Sequence, residues 1–254
     1  MNKNIQEGAV LTTIQNNIGT ITFSHPASNS LTSNMLLEIT NQILLFEKNS
    51  KVVVIVIKST GDSAFCAGAS LTELKAICNF DQGKAFFMGF ANLINTMRKC
   101  SKMIVGRIHS KAVGGGVGLI AACDYAVATQ NAAIKLSEIA IGIGPFVIEP
   151  AVTRKIGIAA VGELALDANT WKSASWSQQK GLFVNLFETE IQLDTEVEML
   201  TNRLAAYNPE AMAALKKVLW KNTKNWDKLL PKRAEISGNL VLSDYTKKAL
   251  ANLK

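Results

Sequence analysis

The chain has 254 residues, of which 48% are apolar and 19% charged, with a formal net charge of +7 and a pI near 9.2. Such a composition excludes a disordered chain, and the length allows a full hydrophobic core without disulfides or metals. The positive charge suits an anionic partner, but lysines such as Lys216, Lys217, Lys221 and Lys224 are spread along helical stretches without interleaved aromatics, which argues against a nucleic-acid stripe.

Cys66, Cys78, Cys100 and Cys123 show no C-x-x-C spacing, and His25 and His109 are the only histidines, so no zinc site can be written. The cysteines read as reduced thiols of a cytosolic protein. The polar opening MNKNIQEGAVLTTIQ does not resemble a signal peptide, and no apolar run approaches the ~20 residues of a membrane span. The expected location is therefore cytoplasmic, with no membrane partner.

In chain order, AVLTTIQNNIGTITFS places two β-rich runs around Asn16-Asn17, a hairpin signal. After Pro26, LTSNMLLEITNQILLFEKN carries apolar residues at helical spacing with Thr32 or Ser33 as N-cap. VVVIVI (52–57) is the mark of a strand buried on both faces. A loop, STGDSAFCAGAS, leads into the helical LTELKAI, and KAFFMGFANLINTMRKC reads as a longer helix. A second buried strand, KMIVGRIH, precedes the run AVGGGVGLIAACD, and DYAVAT and AAIKLS follow as short strands.

Alternating strands and helices predict an α/β architecture. From about Thr195 only amphipathic helical patterns remain, which divides the chain into a core over 1–195 and an all-helical region over 196–254.

Three places offer chemistry. Gly114-Gly115-Gly116 opens a helix after a buried strand, so backbone N–H groups and the positive end of the helix dipole are available to an anion or oxyanion. The spacing fits neither a dinucleotide fingerprint nor a P-loop. The loop FCAGASL (65–71) sets out a second group of backbone donors before a second helix. Paired donors of this kind hold a thioester oxygen as it becomes an enolate, and one lost donor costs ~3 kcal/mol in comparable sites. Finally, Glu138 lies among Ile139, Ile141 and Ile143, where burial would raise its pKa toward that of a general acid/base near neutral pH. Glu149 lies farther along the same apolar stretch.

AFCAGASL, KAVGGGVGLIAACDYAVA and LSEIAIGIG, in that order, resemble the crotonase (enoyl-CoA hydratase/isomerase) superfamily over essentially the whole chain. The resemblance implies a spiral of ββα units with a helical C-terminal region that trimerises, giving a homotrimer or a hexamer built as a dimer of trimers. It implies an acyl-CoA thioester substrate, with coenzyme A part of that substrate and no separate cofactor or metal. It places the oxyanion hole at the N–H groups of Ala69 and Gly115 and the acid/base at Glu138. Ser28, Asn29 and Ser30 would meet the CoA moiety, and Ala67, Gly68, Ser70, Leu71 and Gly114 would line the acyl-CoA path. Lys247 or Lys248 could meet the CoA phosphates, and the Phe80–Phe90 stretch and Phe146 would shape the acyl pocket.

One departure bears on the reaction. Two-glutamate hydratases of this superfamily carry an acid where this chain has Gly118. The sequence most resembles single-glutamate hydratases of branched acyl-CoA metabolism, which makes hydration of a 2-enoyl-CoA the expected reaction. The alternatives are a Δ3,Δ2-enoyl-CoA isomerase using one glutamate, and an acyl-CoA-binding member without catalysis.

Overall fold

The structure, a computed structural model, describes residues 8–253. It opens with the hairpin β1 (Ala9–Gln15) and β2 (Ile18–Ser24), paired antiparallel from Ala9 with Ser24 to Gln15 with Ile18. Asn16 and Asn17 both adopt left-handed backbone (φ 51° and 63°), the conformation of a two-residue hairpin turn that matches strand twist. Helix α1 (Ser33–Lys48) follows, and the Thr32 side chain caps it by accepting from the Met35 N–H at 3.2 Å.

Strands β3 (Val54–Ser59), β4 (Met103–Ile108), β6 (Tyr125–Thr129) and β9 (Leu186–Phe187) then add in parallel beside β2. Between them run α2 (Leu71–Ala76) and α3 (Phe80–Lys99) before β4, and α4 (Gly115–Ala122) before β6. A smaller sheet is built from β5 (Ala112–Val113), β7 (Ala133–Lys135) and β8 (Lys172–Ser173). Single parallel bridges, Leu31 with Ala69 and Cys66 with Ala112, bring the loops after β2 and β3 against this second sheet. The chain therefore climbs as a spiral, each turn giving one long strand to the large sheet and a short segment to the small one. Helices α5 (Glu149–Leu166), broken at Gly157 where φ is 79°, and α6 (Ala174–Gln179) complete it.

Both faces of the large sheet are covered, which is why its strands are apolar throughout. Ile55, Ile57, Ile104 and Ile108 point into the main core with α1, α3 and α4. The alternate residues Val54, Val56 and Val105 meet Leu193, Val197 and Leu200 of α7 (Glu190–Ala205). Arg107 adds an ionic contact on that face, through Nε to Asp194 at 2.7 Å and Nη2 to Glu190 at 2.8 Å. The expected boundary at residue 195 thus falls inside α7, because α7 supplies the second cover of the sheet.

The remaining helices, α8 (Pro209–Leu219), α9 (Trp226–Leu240) and α10 (Asp244–Ala251), confirm the all-helical character of the C-terminal region. They are tied back to the core by a buried ion pair. Lys216 of α8 lies 2.8 Å from Asp124 just after α4, with both side chains sealed from solvent. Asp124 also accepts from the Trp220 indole at 2.6 Å and the Ile104 N–H at 2.8 Å, while Lys216 donates to the Lys102 carbonyl at 2.7 Å. A buried pair is strongly destabilising to break because one uncompensated charge remains. Lys216→Met is therefore expected to lower unfolding stability by about 3 kcal/mol, read as a reduced urea midpoint.

Candidate active site

The loops after β2, β3 and β4 are stitched edge to edge. The Ala67 N–H donates to the Ser28 carbonyl (3.0 Å), Leu31 N–H to Gly68 (2.7 Å), and Ser70 N–H to Leu31 (2.9 Å). In this parallel bridge residues 68 and 70 bond to Leu31, so the N–H of Ala69 faces the opposite edge, toward the glycine run. Val113 N–H donates to Cys66 (2.9 Å) and Gly114 N–H to Lys135 (2.9 Å), which fixes the start of α4 beside that edge. Gly115 is the first residue of α4, where a helix provides no carbonyl for the N–H. A Cβ on Gly68 would lie 3.7 Å from the Gly115 nitrogen, so the two expected donor loops adjoin.

Each glycine of the run meets a different neighbour. Gly114 has φ 51°, and a Cβ there would lie 2.7 Å from Glu138 Oε1. At Gly115 it would collide with the ring of Phe90 from α3, and at Gly116 it would lie 2.8 Å from Cys66 Cβ. At Gly118 it would collide with Ile148. The position that holds an acid in two-glutamate hydratases is thus blocked by an isoleucine side chain, and the wall there is apolar.

Glu138 opens a short 3-10 turn, Glu138–Ile141, after β7. Its stem borders a cavity of about 390 Å³, while Oε2 is sealed from solvent and has no hydrogen-bond partner among the described residues. Burial lifts its pKa from 4.5 to about 7, against the opposing pull of the Glu138 and Ser137 backbone N–H groups. The Cys66 thiol beneath α4 is pushed up to about 12 by burial, so it stays protonated and is no nucleophile.

The cavity collects many of the residues read from the sequence. Its lining includes Ala67, Gly68, Ala69 and Leu71, then Gly114, Gly115 and Glu138, and the rings of Phe87, Phe90 and Phe146. Others lie outside it. Asn29 is buried, its Oδ1 accepting from His25 N–H (2.8 Å) and its Nδ2 donating to the Thr60 (2.7 Å) and Ala64 (2.8 Å) carbonyls. Ser30 Oγ lies 3.3 Å from His25 Nδ1, and Ser70 caps α2 by accepting from Glu73 N–H (3.3 Å). Ser28 gives its carbonyl to the stitching, so these four residues shape the loops beside the cavity.

Glu149 also lies outside the cavity. It accepts from Thr153 Oγ1 at 2.5 Å and faces Arg233 at 3.8 Å. Among the described residues lining the cavity, Glu138 is the only carboxylate. Residues that sequence reasoning did not place there include Ile148, Ser237 of α9 and Leu253 beyond α10, all brought in by tertiary packing.

Comparison with known proteins agrees with this architecture. The family model described as enoyl-CoA hydratase/isomerase matches residues 13–248. A peroxisomal Delta(3,5)-Delta(2,4)-dienoyl-CoA isomerase of Arabidopsis thaliana is 27% identical over 206 residues, covering 75% of this chain and 72% of the relative. A mitochondrial 3-hydroxyisobutyryl-CoA hydrolase of Homo sapiens is 35% identical over 133 residues, covering 50% of this chain but only 34% of its own length. The crystal structure of an enoyl-CoA hydratase from Bacillus halodurans superposes with a TM-score of 0.89 over 96% of this chain and 99% of that one, at 22% identity. The chain belongs to the enoyl-CoA hydratase/isomerase family. It is an enzyme of the hydratase or isomerase type, with the α/β spiral fold of that family; among the described residues no helix is long and apolar enough to cross a membrane.

Two outcomes follow from this geometry. Gly118→Glu should fold poorly because the new side chain meets Ile148, and Ile148→Ala in the same chain should recover soluble, folded protein, as read by thermal melts. The raised Glu138 pKa also sets a pH dependence of stability. Between pH 4.5 and about 7 the unfolded carboxyl has released its proton while the folded one retains it, so stability falls as pH rises. That loss levels off above pH 7 at about 3 kcal/mol, and it should vanish in Glu138→Gln when unfolding is followed from pH 4 to 8.

Proposed function

We propose that the enzyme isomerises an enoyl-CoA thioester, moving a double bond along the acyl chain with Glu138 as its one acid/base. The observation that supports this reading is the single carboxylate in the cavity, with Ile148 filling the space beside Gly118 and Glu149 turned away. In this mechanism the thioester oxygen accepts from the N–H groups of Ala69 and Gly115. Ionised Glu138 takes a proton from C2 of a 3-enoyl thioester, and the electron pair spreads over C2, C3, C4 and the oxygen. The same carboxyl group, now neutral, delivers the proton to C4 and leaves the 2-enoyl product. Proton and charge are balanced without a second group, and no cofactor beyond the CoA of the substrate is required.

A carboxyl with its pKa near the operating pH is suited to both halves of this transfer. Its apolar surroundings serve the same end, since they exclude water that would compete for the enolate. Hydration of a 2-enoyl-CoA remains the second reading, supported by the fold it shares with the Bacillus hydratase. It asks Glu138 alone to activate water in a cavity where Ile148 fills the space beside Gly118.

The same reading carries assembly as a homotrimer, or a hexamer of two trimers. Exposed Leu215, Val218 and Leu219 on α8 supply apolar surface for such an interface.

With 3-hexenoyl-CoA the expected product is the conjugated 2-enoyl thioester, seen as a gain of ultraviolet absorbance, while crotonyl-CoA is expected to lose little. Glu138→Gln should reduce kcat by at least a hundredfold. In the wild type kcat/KM should rise with pH through about 7, as the base ionises. Fast loss of crotonyl-CoA absorbance with no isomerisation would reverse the assignment.

A further inference from the structure

Among the described residues, two buried polar atoms without hydrogen-bond partners belong to residues lining the cavity: Glu138 Oε2, whose use is described above, and the hydroxyl Oγ of Ser237. Ser237 lies on α9 and is 1% exposed. Three other buried hydroxyls on helices are satisfied by a carbonyl of the preceding turn, while Ser59 Oγ in β3, away from the cavity, is also unpaired among the described residues. Thr40 donates to the Leu36 carbonyl (2.7 Å), Ser177 to Ser173 (2.9 Å) and Thr201 to Val197 (2.7 Å), each four residues back. Ser237 makes no such bond. A buried hydroxyl left unpaired costs about 1–3 kcal/mol, so its presence in an otherwise apolar wall calls for a partner that the protein does not supply.

The place of Ser237 in the fold says what that partner would be. Next to it, Gly238 packs directly on α3, where a Cβ would lie 2.7 Å from the Lys84 nitrogen and 3.1 Å from the Gly83 carbonyl carbon. Phe90, which abuts Gly115 at the expected thioester end, lies seven residues further along α3, or about 10 Å along the helix axis. Phe87 lines the cavity between these points. Along α3, the contact beside Ser237 and the contact at Gly115 are therefore offset by about the length of a medium acyl chain, taking about 3.5 Å for every three bonds of an extended chain. Lys84, the nearest cation along α3, is already paired with Glu235 at 2.8 Å, so a carboxylate there would gain no counter-charge.

We propose that Ser237 is a specificity-determining residue, whose hydroxyl pairs with a neutral oxygen substituent, a hydroxyl or keto group, carried on the distal part of the acyl chain. This rests on the reading that the cavity takes acyl-CoA thioesters. The serine hydroxyl can donate to a ketone or exchange a hydrogen bond with an alcohol by rotation about its one side-chain torsion. A plain alkyl chain would leave it unpaired, and a site built around a buried hydrogen bond rejects the analogue that lacks it.

The test is equilibrium binding by calorimetry, independent of any reaction, using octanoyl-CoA and 8-hydroxyoctanoyl-CoA. The wild type should bind the hydroxylated thioester roughly fivefold to tenfold more tightly, the effect of one net hydrogen bond. Ser237→Ala should bring the two affinities together, chiefly by weakening the hydroxylated ligand, and Ser237→Thr, which keeps the hydroxyl, should retain the preference. Equal binding of both thioesters by the wild type, or a preference that Ser237→Ala leaves unchanged, would overturn the role of Ser237 alone. If neither thioester binds, the acyl-CoA reading falls and this inference falls with it. Melting curves of both variants keep loss of fold separate from loss of preference.

Discussion

The site depends on a close approach of backbones around the start of α4. Four elements, the Glu138 turn, α3, the Cys66 loop and the segment before α5, all press on the glycine run at places where any other residue would carry a Cβ. The result is a helix N-terminus held within van der Waals reach of a carboxylate on one side and a phenylalanine ring on another. A side chain at Gly115 would meet Phe90, so that glycine answers to packing first. The exposed N–H of the first helical turn is a consequence of the same constraint.

Charge is distributed in keeping with that constraint. The buried pair of Asp124 and Lys216 holds the far end of α4 against the C-terminal helices, and the Arg107 contacts hold α7 on the opposite face of the sheet. Around the cavity the chain instead spends almost no charge. Among the described residues Glu138 has no counter-ion, and burial holds its carboxyl near neutrality against the pull of two backbone N–H groups. Stability is thus given up locally at one carboxyl and supplied by ion pairs at a distance, a division common at functional sites.

Much of this was legible in the residues themselves, where local chemistry decides structure. The Asn16-Asn17 turn, the Thr32 cap and the doubly buried strand at 52–57 follow from short-range rules, and the structure agrees within two residues, with that strand at Val54–Ser59. The two glycine-bearing loops and Glu138 were also legible, because small residues before a helix and a carboxylate among isoleucines stand out against their surroundings. What escaped was set by long-range packing. Nothing in the sequence says that Ile148 fills the space beside Gly118, that α7 closes the back of the sheet, or that Ser237 reaches the cavity from α9. In the polar loop at Ser28–Ser30, the Asn29 side-chain amide is committed to holding the loop together, a role set by contacts with His25, Thr60 and Ala64.

The cysteine beneath the glycine run carries a consequence of a different kind. Cys66 touches Gly116, accepts a weak hydrogen bond from the Gly68 N–H at 3.4 Å, and is fully sealed, whereas Cys78 at the edge of α3 is exposed. Of the four thiols, Cys78 lies at the surface and Cys66, Cys100 and Cys123 are buried, Cys66 alone of them locked between the two donor loops. An alkylating reagent meets Cys78 in the resting fold and Cys66 only when those loops part. The rate at which Cys66 is labelled is then a clock for the opening of the site, kept by the native chain without any added tag.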